Sequence, residues 1–194
     1  MSVFEQFGRW LRRRQGIERN PLYRIAADAI QGRLTLERAY ALAEHPTTVA
    51  RLADGDLWEV LDEATRARLD YPEHALLLNR LVILAARQKG FDRVLMEANL
   101  RAADILADLA IESGEQNPAY QREQELHLQE ALRAAQRIAN AAGQRRALAR
   151  LARLARDRGE HERARELLLR QLESGREDTD TIEDVDTALL LGDL

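Results

Sequence analysis

Few side chains in this sequence are equipped for chemistry. There are four histidines, His45, His74, His127 and His161, and no cysteine. No two histidines stand four residues apart, so no helix can turn two imidazoles toward one metal ion. The stretch EQELHLQE gathers Glu123, Glu125, His127 and Glu130. A di-iron bundle needs a carboxylate three residues before the histidine, and that place holds Gln124. Phosphate-binding and dinucleotide-binding glycine loops are missing, as is the GxSxG turn of serine hydrolases. The absence of cysteine removes disulfides, thiolate metal sites and a thiol nucleophile. The expectation is a protein that is not an enzyme and has no metal site and no cofactor.

Arginine is the exception. Residues 133–158 contain eight arginines against the single acid Asp157, and residues 173–194 contain eight acids against the single Arg176. On a helix, Arg146, Arg150 and Arg153 fall at i, i+4 and i+7 and project as one stripe. A guanidinium can donate two parallel hydrogen bonds to one carboxylate, so such a stripe suits an acidic peptide or helix of another protein. Arg133, Arg137, Arg146, Arg150 and Arg153 are the candidate partner-binding residues. The competing reading is a solvated face balanced by Glu160, Glu162 and Glu166. Nucleic acid is not expected, because the net charge is −4 and no aromatic residue follows Arg122 to stack on bases. The acidic tail could itself lie on the arginines, in its own chain or in a neighbouring copy, and a homodimer stays open.

At the other end, Val3, Phe4, Phe7, Trp10 and Leu11 share a helical face ahead of Arg12, Arg13 and Arg14. Phe4, Phe7, Trp10 and Leu11 are the candidate membrane or docking face. The alternative, preferred here, is a cap that folds back on the core. No run approaches the roughly 20 apolar residues of a membrane span, since Asn79 and Arg80 interrupt the most apolar stretch. The N-terminus lacks the order of a secretion signal. The expected location is the cytoplasm. Lys89 is the only lysine, a preference for arginine that reads as the coding bias of a GC-rich, bacterial genome.

These side chains must be positioned by helices. Aromatics make up 5% of the 194 residues, and hydrophobic residues 45%. A core built from leucine and alanine suits close helix packing and is poor for a sheet. Caps and stops divide the chain into about ten helical segments. Asn20-Pro21 and Asn117-Pro118 open helices, and Gly32, Gly90, Gly114, Gly143 and Gly159 close them. Pro72 to Lys89, apolar nearly all round, reads as the central buried helix. Leu128, Leu132, Ala135, Ala139 and Ala142 form a seam on a helix reaching Gly143. Helices lengthen after Tyr71. The organisation is therefore a short-helix capping region at 1–71, a helical array at 72–175 and an acidic tail at 176–194 with a short helix near Thr181 to Leu191, all within one structural domain.

Within that array, RRALARLARLARDRGEHERARELLLRQL, from Arg145 to Leu172, resembles one tetratricopeptide repeat. Leu148, Leu151, Ala152 and Ala155 match the repeat's first helix, Gly159 its turn, and Ala164 and Leu168 its second helix. Gln171 stands where the family has a small residue, and no proline closes the unit near Arg176. The resemblance covers about a seventh of the chain. It implies an all-α fold, a right-handed solenoid of antiparallel helix pairs, and an adaptor or scaffold whose first helices line a groove for a partner peptide. Arg146, Arg150 and Arg153 occupy positions like those the family uses to hold a partner's carboxylates. A compact helical bundle is the alternative architecture, and a regulatory or sensor bundle with a small ligand or a partner enzyme is the alternative function. Counting pairs from Pro72 makes the Arg145 helix a second helix, whereas the repeat pattern makes it a first.

Overall fold

An eighteen-residue helix apolar on nearly every side has to be surrounded, and its neighbours organise the chain around it. The computed structural model describes residues 19–112 and 117–175. Within them lie nine helices and no strand: α1 (Pro21–Ile30), α2 (Leu36–Glu44), α3 (Pro46–Ala50), α4 (Asp54–Ala67), α5 (Pro72–Lys89), α6 (Asp92–Glu112), α7 (Pro118–Arg137), α8 (Ala141–Asp157) and α9 (His161–Gly175). The central helix is α5, with Ala75, Leu76, Leu77, Leu78, Leu81, Val82, Ile83, Ala85 and Ala86 all buried. It packs against α1, α2, α4 and α6, with lighter contact to α3. From α4 onward each helix packs on the next, and one continuous apolar cluster runs from Leu22 to Leu168.

The punctuation has clear physical causes. The side chain of Asn20 accepts from the Leu22 amide at 3.1 Å, and that of Asn117 from the Ala119 amide at 3.0 Å, each ahead of a proline whose missing N–H costs a first turn nothing. Asn20 also donates to the Asp56 carbonyl at 2.9 Å, tying the start of α1 to α4. Gly90 and Gly159 take the left-handed conformation, φ 70° and 76°, which ends α5 and turns α8 into α9.

One boundary differs from the sequence expectation. Gly143 does not end a helix. The chain breaks earlier, at Ile138 to Asn140, where Ala139 adopts φ 50° and the Asn140 side chain caps a new helix through the Gly143 amide at 2.9 Å. Ala139 and Ala142 therefore leave the expected seam, which ends at Ala135. Gly143 sits in the first turn of α8, where a Cβ would run into Met96 of α6 and crowd Ala135 of α7. Its lack of a side chain lets three helices meet.

From α4 onward each helix packs on both the one before and the one after it, so pairs counted from Asp54 make the helix of Arg145 the first of its pair and pairs counted from Pro72 make it the second. The N-terminal face at Phe4, Phe7, Trp10 and Leu11, and the helix expected near Thr181 to Leu191, lie outside the described residues. None of the described helices is long and apolar enough to cross a membrane.

Ala164 is fully buried on α9, as are Ala131, Ala134, Ala135 and Ala147 on the helices before it. Such small side chains mark close helix approach, and a larger one must displace its neighbours. Ala164→Leu is expected to destabilise the protein by about 1 to 3 kcal/mol through overpacking, read as a lowered urea midpoint at unchanged slope.

Candidate partner-binding face

On α6 the residues Glu97, Arg101, Asp104 and Asp108 stand at i, i+4, i+7 and i+11, a ridge of charge opposite the stripe that enters the core. This ridge is joined on both sides. Toward α4, Arg101 donates to Thr65 Oγ1 at 2.9 Å and to Asp62 at 3.4 Å. Arg68, just past the end of α4, donates to Asp108 at 2.5 Å and to the Asp104 carbonyl at 3.2 Å. Toward α8, Arg146 donates to Glu97 at 2.9 and 3.4 Å, and Arg150 holds Asp104 with two bonds of 2.7 and 3.0 Å. Residue numbers rise together across each junction, so α4, α6 and α8 run parallel.

Electrostatics follow the geometry. Burial, the largest single influence on Glu97, pushes its carboxyl upward, but hydrogen bonds and charge from Arg146 and Arg101 hold it below the ordinary range. The Asp108 hydrogen bond raises Arg68.

The expected arginine stripe is thus present on α8 but largely engaged within the chain. Arg146 and Arg150 are bound to α6 carboxylates. Arg153 lies on the same stripe, is exposed, and makes no ion pair among the described residues. Arg133 and Arg137 belong to α7: Arg133 reaches Glu130 at 3.5 Å, and Arg137 clasps Asp92 at the start of α6 at 2.7 Å. The solvated-face reading named Glu160, Glu162 and Glu166 as the balancing acids. Their place is taken for Arg146 and Arg150 by Glu97 and Asp104, more than forty residues earlier in the chain. Glu160 pairs with Arg163 at 2.8 Å. Where α4 and α6 end, beside the Arg68–Asp108 pair, Leu69 and Ile111 are 87% and 78% exposed.

A second polar cluster lies between helices. The guanidinium of Arg80 on α5 bonds Glu123 of α7 and, at 3.3 Å, the Tyr40 hydroxyl of α2. Glu123 also faces His127 Nε2 at 3.5 Å, and His127 Nδ1 lies 2.8 Å from Asn99 Oδ1 on α6. Asn99 uses its amide N–H on the Leu95 carbonyl, so its oxygen is the atom turned to the imidazole. The role of His127 here is to join helices. The hydrogen bond with His127, together with Arg80, pulls the Glu123 carboxyl down to about 2 despite partial burial. Among the described residues, no three histidine, aspartate or glutamate side chains converge as a metal site would require.

At the α8–α9 turn, Arg158 donates to the Gln121 carbonyl at 2.7 Å and to Glu125 at 2.5 Å, and Arg163 binds the same carboxylate. No protein-family model, no curated protein and no solved structure matches the chain.

Two measurements probe these contacts. Arg150→Glu sets a carboxylate against Asp104 and should lower stability by on the order of 1 kcal/mol, with Asp104→Arg in the same chain recovering part of the loss in a double-mutant cycle. For Glu123, the folded carboxyl titrates near 2 and the unfolded one near 4.5. Its stabilisation is complete above the higher value and vanishes as pH falls through the lower one. Urea midpoints followed from pH 5 to 2 should therefore fall more steeply in the wild type than in Glu123→Gln.

Proposed function

We propose that this chain is a non-catalytic adaptor, a tetratricopeptide-like right-handed solenoid in which α4, α6 and α8 are the first helices and line a groove for an acidic peptide or helix of another protein. The observation that carries the reading is the α8 stripe. Carboxylates of α6 hold Arg146 and Arg150 in fixed directions, and Arg153 continues the line into solvent. Guanidiniums fixed in this way lose little side-chain entropy when a partner arrives. The parallel run of α4, α6 and α8 supports the solenoid, in which the pairs are those counted from Asp54. Leu69 and Ile111 supply apolar contacts beyond the charged ridge. The site residues are Arg146, Arg150 and Arg153, with Arg133 and Arg137 at its margin. The location proposed is the cytoplasm.

The sensor alternative wanted a closed pocket along Leu76 to Leu84. Along this stretch Leu76, Leu77, Leu78, Leu81, Val82 and Ile83 are buried in the core, and a cleft of about 330 Å³ lies between Glu44, Pro46, Val49 and Ala50 on one side and Gln88 and Lys89 on the other.

Arg153 gives the cleanest test, because its loss breaks no ion pair among the described residues. Titrating glutamate-rich peptides at low and moderate salt should give saturable binding that Arg153→Glu weakens at least about five-fold with an unchanged thermal melt. Equal binding by Arg153→Glu and the wild type would remove the groove from consideration.

A further inference from the structure

The charged stripes of α4, α6 and α8 end side by side, and two of the three ends are apolar. On α6 the ridge of Glu97, Arg101, Asp104 and Asp108 continues to Ile111, which stands i+7 from Asp104 and i+3 from Asp108. On α4, Asp62 and Thr65 are the residues tied to Arg101. Arg68 keeps helical dihedrals, φ −53° and ψ −43°, so Leu69 follows in phase at i+7 from Asp62 and i+4 from Thr65. On α8 the stripe reaches Arg153, i+3 from the Arg150 that holds Asp104. The bonds across the helices set the levels. Arg68 is bound to Asp108 and to the Asp104 carbonyl, and Arg150 to the Asp104 carboxylate, so Leu69 and Arg153 flank α6 within about one turn of Ile111. Leu69 and Ile111 are almost wholly exposed, and Arg153 is exposed with no ion pair among the described residues.

Resting on the groove reading above, we propose that the partner segment crosses these three ends, with a carboxylate on Arg153 and two bulky apolar side chains on Ile111 and then Leu69. Charge complementarity places the acid. Over α6 and α4 a second acid would meet Asp104 and Asp108, whose cations Arg150 and Arg68 are already engaged. An apolar side chain meets no such repulsion there, and it removes Ile111 and Leu69 from water. Packed helices lie about 8 to 10 Å apart, so the three groups follow one another at about that interval. An extended polyproline-type chain repeats its side-chain direction every three residues, or about 9 Å. The segment that fits therefore carries two apolar residues and an acid, each three residues from the next.

The test titrates the full-length protein with a glutamate-rich peptide whose first glutamate lies three and six residues from two leucines, made in both chain directions. Two controls accompany it: the same peptide with both leucines replaced by serine, and one with a glutamate set between the leucines. The leucine peptide, in one direction, should bind at least about five-fold more tightly than either control. Leu69→Ser combined with Ile111→Ser should remove that advantage and leave the thermal melt and the binding of the serine peptide unchanged. Arg153→Glu should weaken both peptides. If the serine peptide binds through Arg153 but the leucines add nothing, add as much in the reordered control, or keep their effect in the double variant, the proposal falls and the groove stands. If Arg153→Glu alters neither peptide, the groove falls and the proposal with it. A wild type that sediments as a dimer while the double variant is a monomer assigns the apolar pair to a second copy and also overturns it. Should the double variant not fold, the three peptides on the wild type decide.

Discussion

The charged ridge of α6 is the constraint on which the arrangement of α4 and α8 depends. One side of α6 puts Val94, Leu95, Ala98, Ala102, Ile105, Leu106 and Leu109 into the core, and the other presents Glu97, Arg101, Asp104 and Asp108 to the two parallel helices beside it. Each ion pair is partly exposed, so each contributes at most about 1 kcal/mol, less than a single buried leucine. Their effect is on alignment. A helix held only by leucine and alanine can slide along its neighbour at small cost, whereas a two-bonded Arg150–Asp104 pair loses its geometry once the register shifts. The apolar face sets how close the helices lie, and the charged face sets where along each other they stand.

That division explains what was legible in the sequence. Asn20-Pro21, Asn117-Pro118, Gly90 and Gly159 act within a few residues of themselves, and each appears where its own stereochemistry places it. The all-round apolar character of α5 is likewise local, and the helix is surrounded as its composition demands. The α7–α8 break was harder, because an alanine in the left-handed region carries no compositional mark and Gly143 offered a more obvious stop. The signal that could have found it is Asn140, a capping residue three positions before Gly143. The arginine stripe was readable as a stripe, but its carboxylate partners were not. Glu97 and Asp104 are brought to Arg146 and Arg150 by the packing of intervening helices, and no periodicity within α8 points to them. The ridge on α6 was visible in principle, at spacings of four, three and four.

Engagement of the arginines changes what a basic stripe means. Eight guanidiniums in residues 133–158 suggest an intense positive field, yet Asp92, Glu97, Asp104, Glu125 and Glu130 neutralise much of it from α6 and α7. Long-range attraction of an acidic partner is accordingly weaker than the sequence implies. For the partner proposed above, short-range discrimination would be the stronger effect, because it would have to fit around paired groups whose positions are set, adding contacts without removing the intramolecular ones. Specificity in such a surface comes from geometry more than from net charge.

The buried polar groups follow the same logic inside the protein. Asn79 and Asn99 both donate one amide N–H to the carbonyl four residues back on their own helix. Asn99 turns its oxygen to His127, at the end of a connected set that passes through Glu123 and Arg80 to Tyr40, whereas the buried Asn79 oxygen has no hydrogen-bond partner among the described residues. Four helices, α2, α5, α6 and α7, share this one set of directed bonds. Leucine and alanine would pack at many rotations about a helix axis, but these polar atoms meet their partners at only one. In a core with so few aromatic shapes to interlock, the directed contacts supply the uniqueness that apolar packing alone leaves open.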